Sequence, residues 1–277
     1  MTTGETDPPP SRTVSELAVY ALKALNAAAA FGVTLVLARA GGAGAVGTYA
    51  VVVTTGVLLG LVGTAGLDQH ALRAVAGNLR VGDSASARAV VRQVTTAVAG
   101  LALIVAGALA AAALLTPLAE RLDTTPSLLA IGAAIVPLMA LNRVAIAVLR
   151  ASDGQLAGQL LEGLHTSLLL LALLVFIPAG RSIVPETAVH LLVGALGLTT
   201  AMALLLLRRH ARTWAPPSHQ RDRAILKRGW PFLFASLLIA VGDWLLLVLV
   251  TFFGSAADAG AIRIVLQVTL VPGTVVA

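Results

Sequence analysis

The chain is 277 residues long, with 58% apolar residues, only 12% charged residues and a mean hydropathy of +0.92. A water-soluble domain carries about 25% charged residues, so ordinary soluble enzymes and nucleic-acid-binding proteins are excluded and the sequence reads as an integral membrane protein. The net charge of +6 then reports orientation, because Lys and Arg collect in loops facing the anionic inner leaflet, and the lack of cysteine removes disulfides, thiol chemistry and Cys-ligated metal.

Residues 1–15 are rich in Thr, Pro and Ser, with Pro8, Pro9 and Pro10 in a row, and read as a disordered cytoplasmic tail. Eight apolar runs follow, at 17–38, 46–67, 94–115, 128–149, 160–177, 188–207, 231–253 and 258 to the end. A helix rising 1.5 Å per residue needs about 20 residues to cross roughly 30 Å of hydrocarbon. The runs are continuous and rich in Ala and Leu, which excludes the alternating strands of a membrane barrel. The expected fold class is therefore all-α, a polytopic helical membrane bundle, with Pro137 predicting a kink in the fourth span.

With the tail inside, 13 Lys and Arg fall in inner segments and 3 in outer ones, which predicts a cytoplasmic N-terminus. The polar stretch 208–230 holds seven basic residues around Pro216 and Pro217 and reads as a basic cytoplasmic linker on anionic lipid, not as a nucleic-acid site. It separates a six-helix bundle at 16–207 from two further helices at 231–277. Sliding the sequence by 213 residues lays Gly41 on Gly254 and Gly47 on Gly260, with Tyr49 falling on Ile262. A parallel repeat of six spans is a transporter layout. It predicts six helices in the second bundle, so the sequence reads either as truncated after its eighth span or as assembling with another chain.

The segment LARAGGAGAVGTYAVVVTTGVLLGLVGTAGLDQHALRAVA, 37–76, resembles the start of Wzx-type polysaccharide-export flippases of the MOP superfamily. The matching residues are Leu37, Ala38, Arg39, Gly41, Gly47, Tyr49, Gly66, Leu67, Leu72 and Arg73. WPFLFASLLIAVGDWLLLVLVTFFGSAADAGAIRI, 230–264, is similar to the seventh and eighth spans of that family through Asp243, Gly254, Gly260 and Arg263, although Ile262 replaces the usual aromatic. The resemblance implies translocation of a polyprenyl-diphosphate-linked oligosaccharide from the inner to the outer leaflet of a bacterial plasma membrane, alongside a polysaccharide polymerase and glycosyltransferases.

Ionisable groups inside apolar helices cost about 2.5–3.5 kcal/mol at the helix centre and must face partners or water. Lys23 and Asn26 continue a polar stripe with Glu16, Tyr20 and Thr34 on the first span. Gln155, Gln159, Glu162 and His165 or Thr166 repeat the pattern on the fifth, Asn142 and Arg143 stand on the fourth, and Arg263 with Gln267 on the eighth. Lys23, Asn26, Arg39, Arg143, Glu162, His165 and Arg263 are the candidate substrate-cavity residues, since Arg pairs bidentately with phosphate and Lys supplies a point charge. Snorkelling of Lys23, an orienting role for Arg143, and an ion cluster of Glu162 and His165 with Lys23 or Arg143 stay open beside that reading. Asp243, mid-span, is protonated, paired or an ion-coupling carboxylate.

Gly42, Gly44 and Gly47 spell G-x-G-x-x-G with Asp68 beyond, but flanking membrane spans replace the strand and soluble helix that a dinucleotide site requires. No metal ligand set, cofactor motif or catalytic constellation is expected. Two other classes stay open: a MATE-like multidrug or cation antiporter, whose cavity should be acidic and aromatic, and a membrane glycosyltransferase or polymerase, which should carry acidic outer loops.

Overall fold

The computed structural model describes residues 10–153, 155–176, 184–217 and 225–276. Among these residues the chain is helical and contains no strand. α1 runs Pro10–Thr64, 55 residues that as one straight rod would reach about 80 Å, far beyond a bilayer. It is broken at Gly42, whose φ of 74° and ψ of −175° suit a residue without Cβ. Its two arms are the first two expected spans, and the break sits at their expected turn.

Next comes a helix that no apolar run announces: α2, Leu67–Arg80. Leu67, Ala71 and Val75 recur every four residues and are buried, while Arg73 and Arg80 are exposed, so α2 is amphipathic. α3, Ser84–Leu115, begins ten residues before the third expected span, capped by the Asp83 side chain accepting from the Ser86 N–H at 2.9 Å. After the short α4, Leu118–Arg121, the fourth span is divided into α5, Pro126–Gly132, and α6, Ile135–Asp153. The division falls just upstream of Pro137, which has no N–H to offer the Ala133 carbonyl; the Val136 N–H takes that carbonyl in a tighter turn.

α7, Gln155–Phe176, and α8, Pro185–Ala211, follow the fifth and sixth expected spans. α9, Ile225–Phe253, starts inside the stretch expected to be linker, and α10, Ala256–Val276, follows the eighth run. Leu103, Ile104, Leu114 and Leu115 of α3, Leu171 of α7, and Leu198 and Leu205 of α8 are exposed. Such an apolar belt is unusual on a protein in water and is the expected lipid-facing wall of a polytopic bundle.

The second arm of α1 is the central helix, and small residues let its neighbours close in. Gly56 and Gly60 face Ile135 and Met139 of α6, and Gly63 faces Ala102 of α3 at distances that leave no room for a side chain. Close backbone approach through small residues is how helices associate where lipid supplies no hydrophobic drive. Around this arm Val51, Val52, Val94, Val98, Val136 and Val144 form the main core.

Candidate functional site

α9 and α10 are tied to the second arm of α1 and to α2 along one seam. At one end, a Cβ on Gly47 would strike the Ala256 carbonyl and come within 3.0 Å of the Gly260 nitrogen; a Cβ on Gly260 would strike the Ala43 carbonyl and come within 3.0 Å of the Gly47 nitrogen. Ala43 and Ala256, like Gly47 and Gly260, are 213 residues apart. The contact is therefore reciprocal under the sequence repeat: each residue meets the counterpart of its own neighbour, as in an isologous interface. Nearby, Trp244 of α9 donates its indole N–H to Thr55 Oγ1 at 3.0 Å.

Both ends of the seam are also fastened. At the glycine end the Ala256 N–H donates to the Asp123 carboxylate at 3.1 Å, so the α4–α5 loop sends an anion to the N-terminus of α10. At the other, Gly66, with φ of 70°, packs on the Gly229 carbonyl and Leu233 nitrogen, and the Arg73 guanidinium lies over the Phe232 ring at 4.5 Å.

The embedded charges divide into engaged and less engaged groups. Arg143 Nε and Nη2 both donate to Asp68 Oδ2, at 3.2 and 2.9 Å, and the Asp68 side chain is only 6% exposed. Asp68, noticed in the sequence only as part of a false dinucleotide fingerprint, thus pins α2 to α6. Glu162 accepts from Arg150, which also donates to Gln159 Oε1 at 3.3 Å. The Glu162 partner is therefore Arg150, a residue the sequence reading assigned to an inner loop, instead of Lys23 or Arg143.

Lys23 lies 5.7 Å from the Tyr20 ring centroid and makes no ion pair among the described residues. One turn on, the Asn26 side chain fills the space above Gly163 of α7, which brings Asn26 to the seam that carries Glu162 and His165. Arg39 is exposed near the end of the first arm. Arg263 stands within electrostatic reach of Tyr49, on the opposite side of the glycine contact from Asp123 along α10. Asp243 belongs to α9, but its side chain lies outside the described residues. Three buried polar atoms within the helices have no hydrogen-bond partner among the described residues: Asn142 Oδ1, His165 Nδ1 and Gln267 Oε1. Buried polar atoms are ordinarily satisfied, at a cost of several kcal/mol when they are not.

Among solved structures, the chain is similar to the MATE multidrug transporter DinF-BH, with a TM-score of 0.66 at 14% identity. The match covers 98% of this chain. The fold is similar to that of a MATE transporter. The chain spans 64% of that transporter's length. No family model and no curated protein matches the sequence. The helical, polytopic class agrees with the sequence reading. In this MATE-like fold the seven candidate residues do not gather at one point. Asn26, Glu162 and His165 share the α1–α7 seam, Arg143 is committed to α2, and Arg263 lies across the second arm.

Sequence reasoning missed Asp68 and Arg150 as partners. The signal was thin: Asp68 opens an amphipathic helix beside a buried Leu67, while its arginine is 75 residues away.

Proposed function

We propose that the chain works as a MOP-type transporter that moves a polyprenyl-diphosphate-linked oligosaccharide across a bacterial plasma membrane by alternating access, with its N-terminus in the cytoplasm. The observation that carries the choice of substrate charge is the neutralisation of Asp68 and Glu162 among the described residues. Asp68 is bonded to Arg143 and Glu162 to Arg150, whereas Lys23 has an aromatic ring and no carboxylate among the described residues. A cavity built to hold an organic cation would keep its carboxylates available; one for a diphosphate would keep its cations available. On this reading Lys23 and Arg263 receive phosphate oxygens, while Asn26, Asn142 and Gln267 supply polar atoms to the glycan end. Asp243 couples an ion, and Arg39 meets the substrate on the outer side. The glycosyltransferases that build the lipid-linked glycan and the polymerase that consumes it are the partners.

A second reading, export of a cationic drug, is favoured by the fold similarity to a multidrug transporter. One pair of assays separates the two. In cells lacking their own oligosaccharide-lipid flippase, the protein should restore surface polysaccharide, and Lys23→Ala or Arg263→Ala should cut that rescue at least severalfold. Equal rescue by both variants overturns the phosphate assignment. Energy-dependent efflux of a cationic dye without any rescue favours the second reading.

A further inference from the structure

A cavity of about 580 Å³ opens between the end of α6, the first half of α7 and the end of α8, away from the seam that joins α10 to the second arm of α1. Its volume lies within the roughly 300–1,000 Å³ range of ligand sites. The walls are aliphatic: Leu160 and Leu164 stand one turn apart on α7, Met202 and Leu206 one turn apart on α8, and Leu149 closes the α6 side. No Phe, Tyr or Trp lines it, which suits a flexible chain better than a planar ring. At the mouth the lining turns basic, with Arg209 and His210 in the last turn of α8.

The distances match a membrane lipid. From Met202 to His210 is eight residues, about 12 Å of helix, close to the hydrocarbon depth of one leaflet, about half of the ~30 Å core. The cation at the mouth is also available. Arg150, beside the cavity, is taken by Glu162 and Gln159, while exposed Arg209 has no carboxylate within ion-pair distance among the described residues. Basic pockets between membrane helices at a positively charged face are the recognised setting for anionic headgroups.

We propose that this cavity holds a phospholipid with an anionic headgroup, one acyl chain lying in the aliphatic groove and the phosphate resting on Arg209 beside His210. The site is separate from the transported substrate and its occupancy does not depend on the transport reading. Basic residues in the last turn of a helix are also favoured by the helix dipole, and the experiment distinguishes that role from lipid binding.

The test titrates the detergent-solubilised full chain with palmitoyl-oleoyl phosphatidylglycerol, with the matching phosphatidylcholine and with inorganic phosphate, reading bound lipid by native mass spectrometry and the thermal midpoint in parallel. Phosphatidylglycerol should be retained and raise the midpoint; the other two should not. Arg209→Gln should weaken phosphatidylglycerol binding about tenfold, the loss of one charge-assisted contact. Arg80→Gln, on α2 and equally exposed, should leave it unchanged. Leu206→Trp, which fills the groove, should weaken binding with Arg209 intact, and Leu160→Trp replaces it where Leu206→Trp does not elute as a monodisperse species. Equal retention of phosphatidylcholine, equal affinity of the Arg209 and Arg80 variants, or undiminished binding by the groove-filling variants would each overturn the proposal. None of these readouts involves transport, so their failure leaves the transport reading where it stands.

Discussion

At the scale of single residues, burial decides which ion pairs matter. Asp68 is nearly sequestered and takes two N–H donors on one oxygen, while the Arg143 side chain remains 30% exposed. Removing the arginine leaves a carboxylate with neither water nor counter-charge, a loss of about 3 kcal/mol in comparable buried pairs, whereas replacing both partners by apolar residues of similar volume recovers most of it. Arg143→Ala should therefore lower unfolding free energy in detergent by about that amount, and Asp68→Leu with Arg143→Met should return close to the parent. A double variant no more stable than Arg143→Ala would show that the pair is not what joins α2 to α6. The Arg150–Glu162 pair looks equally good on paper, but the Glu162 side chain is 50% exposed and the pair is worth about 1 kcal/mol or less. Arg150→Ala should barely register in the same assay.

At the scale of helices, separation is set by glycine. Gly47 and Gly260 each leave a gap that the opposite backbone fills, so a methyl group at either site must push α10 from the second arm of α1. Overpacking of this kind costs about 1–3 kcal/mol. Because one separation relieves both clashes, Gly47→Ala and Gly260→Ala should each destabilise, and their double variant should cost clearly less than the sum. Gly100 and Gly107 of α3 face open space, and alanine there should be neutral or stabilising by about 0.5–1 kcal/mol. Strict additivity of the first pair in chemical denaturation would refute the shared contact. The helices themselves were legible because a 20-residue apolar run has one physical meaning in a chain this hydrophobic. The glycine correspondence at a spacing of 213 was legible too, but sequence alignment states only that two positions are alike, and that they touch is a fact of packing. α2 escaped because a short amphipathic helix carries nearly as many polar as apolar residues and leaves no run to notice. The pairings of Arg143 and Glu162 escaped because a charge pattern gives a helix face and never the partner across it.

At the scale of the whole molecule, α9 and α10 meet the first unit, α1–α8, at both ends of one seam, and the alternating access proposed above requires at least one end to release. The end that carries Gly47 and Gly260 is backbone against backbone and is fastened further by the Asp123 bond to α10, which suits a pivot. The opposite end adds to the approach of Gly66 and Gly229 one cation–π contact, Arg73 over Phe232, worth on the order of 1–2 kcal/mol, which suits a latch. Opening toward the basic end should therefore part α2 from α9 at Arg73 and Phe232 while the glycine crossing stays closed. The chain contains no cysteine, so Arg73→Cys with Phe232→Cys can be joined by a short bis-maleimide without background. Joined protein should lose transport, while each single variant treated with the same reagent, and the double variant left unjoined, should retain most of it. Transport that survives complete cross-linking would mean that this latch stays shut through the cycle and that the chain opens elsewhere, at the Asp123 end or between helices of the first unit.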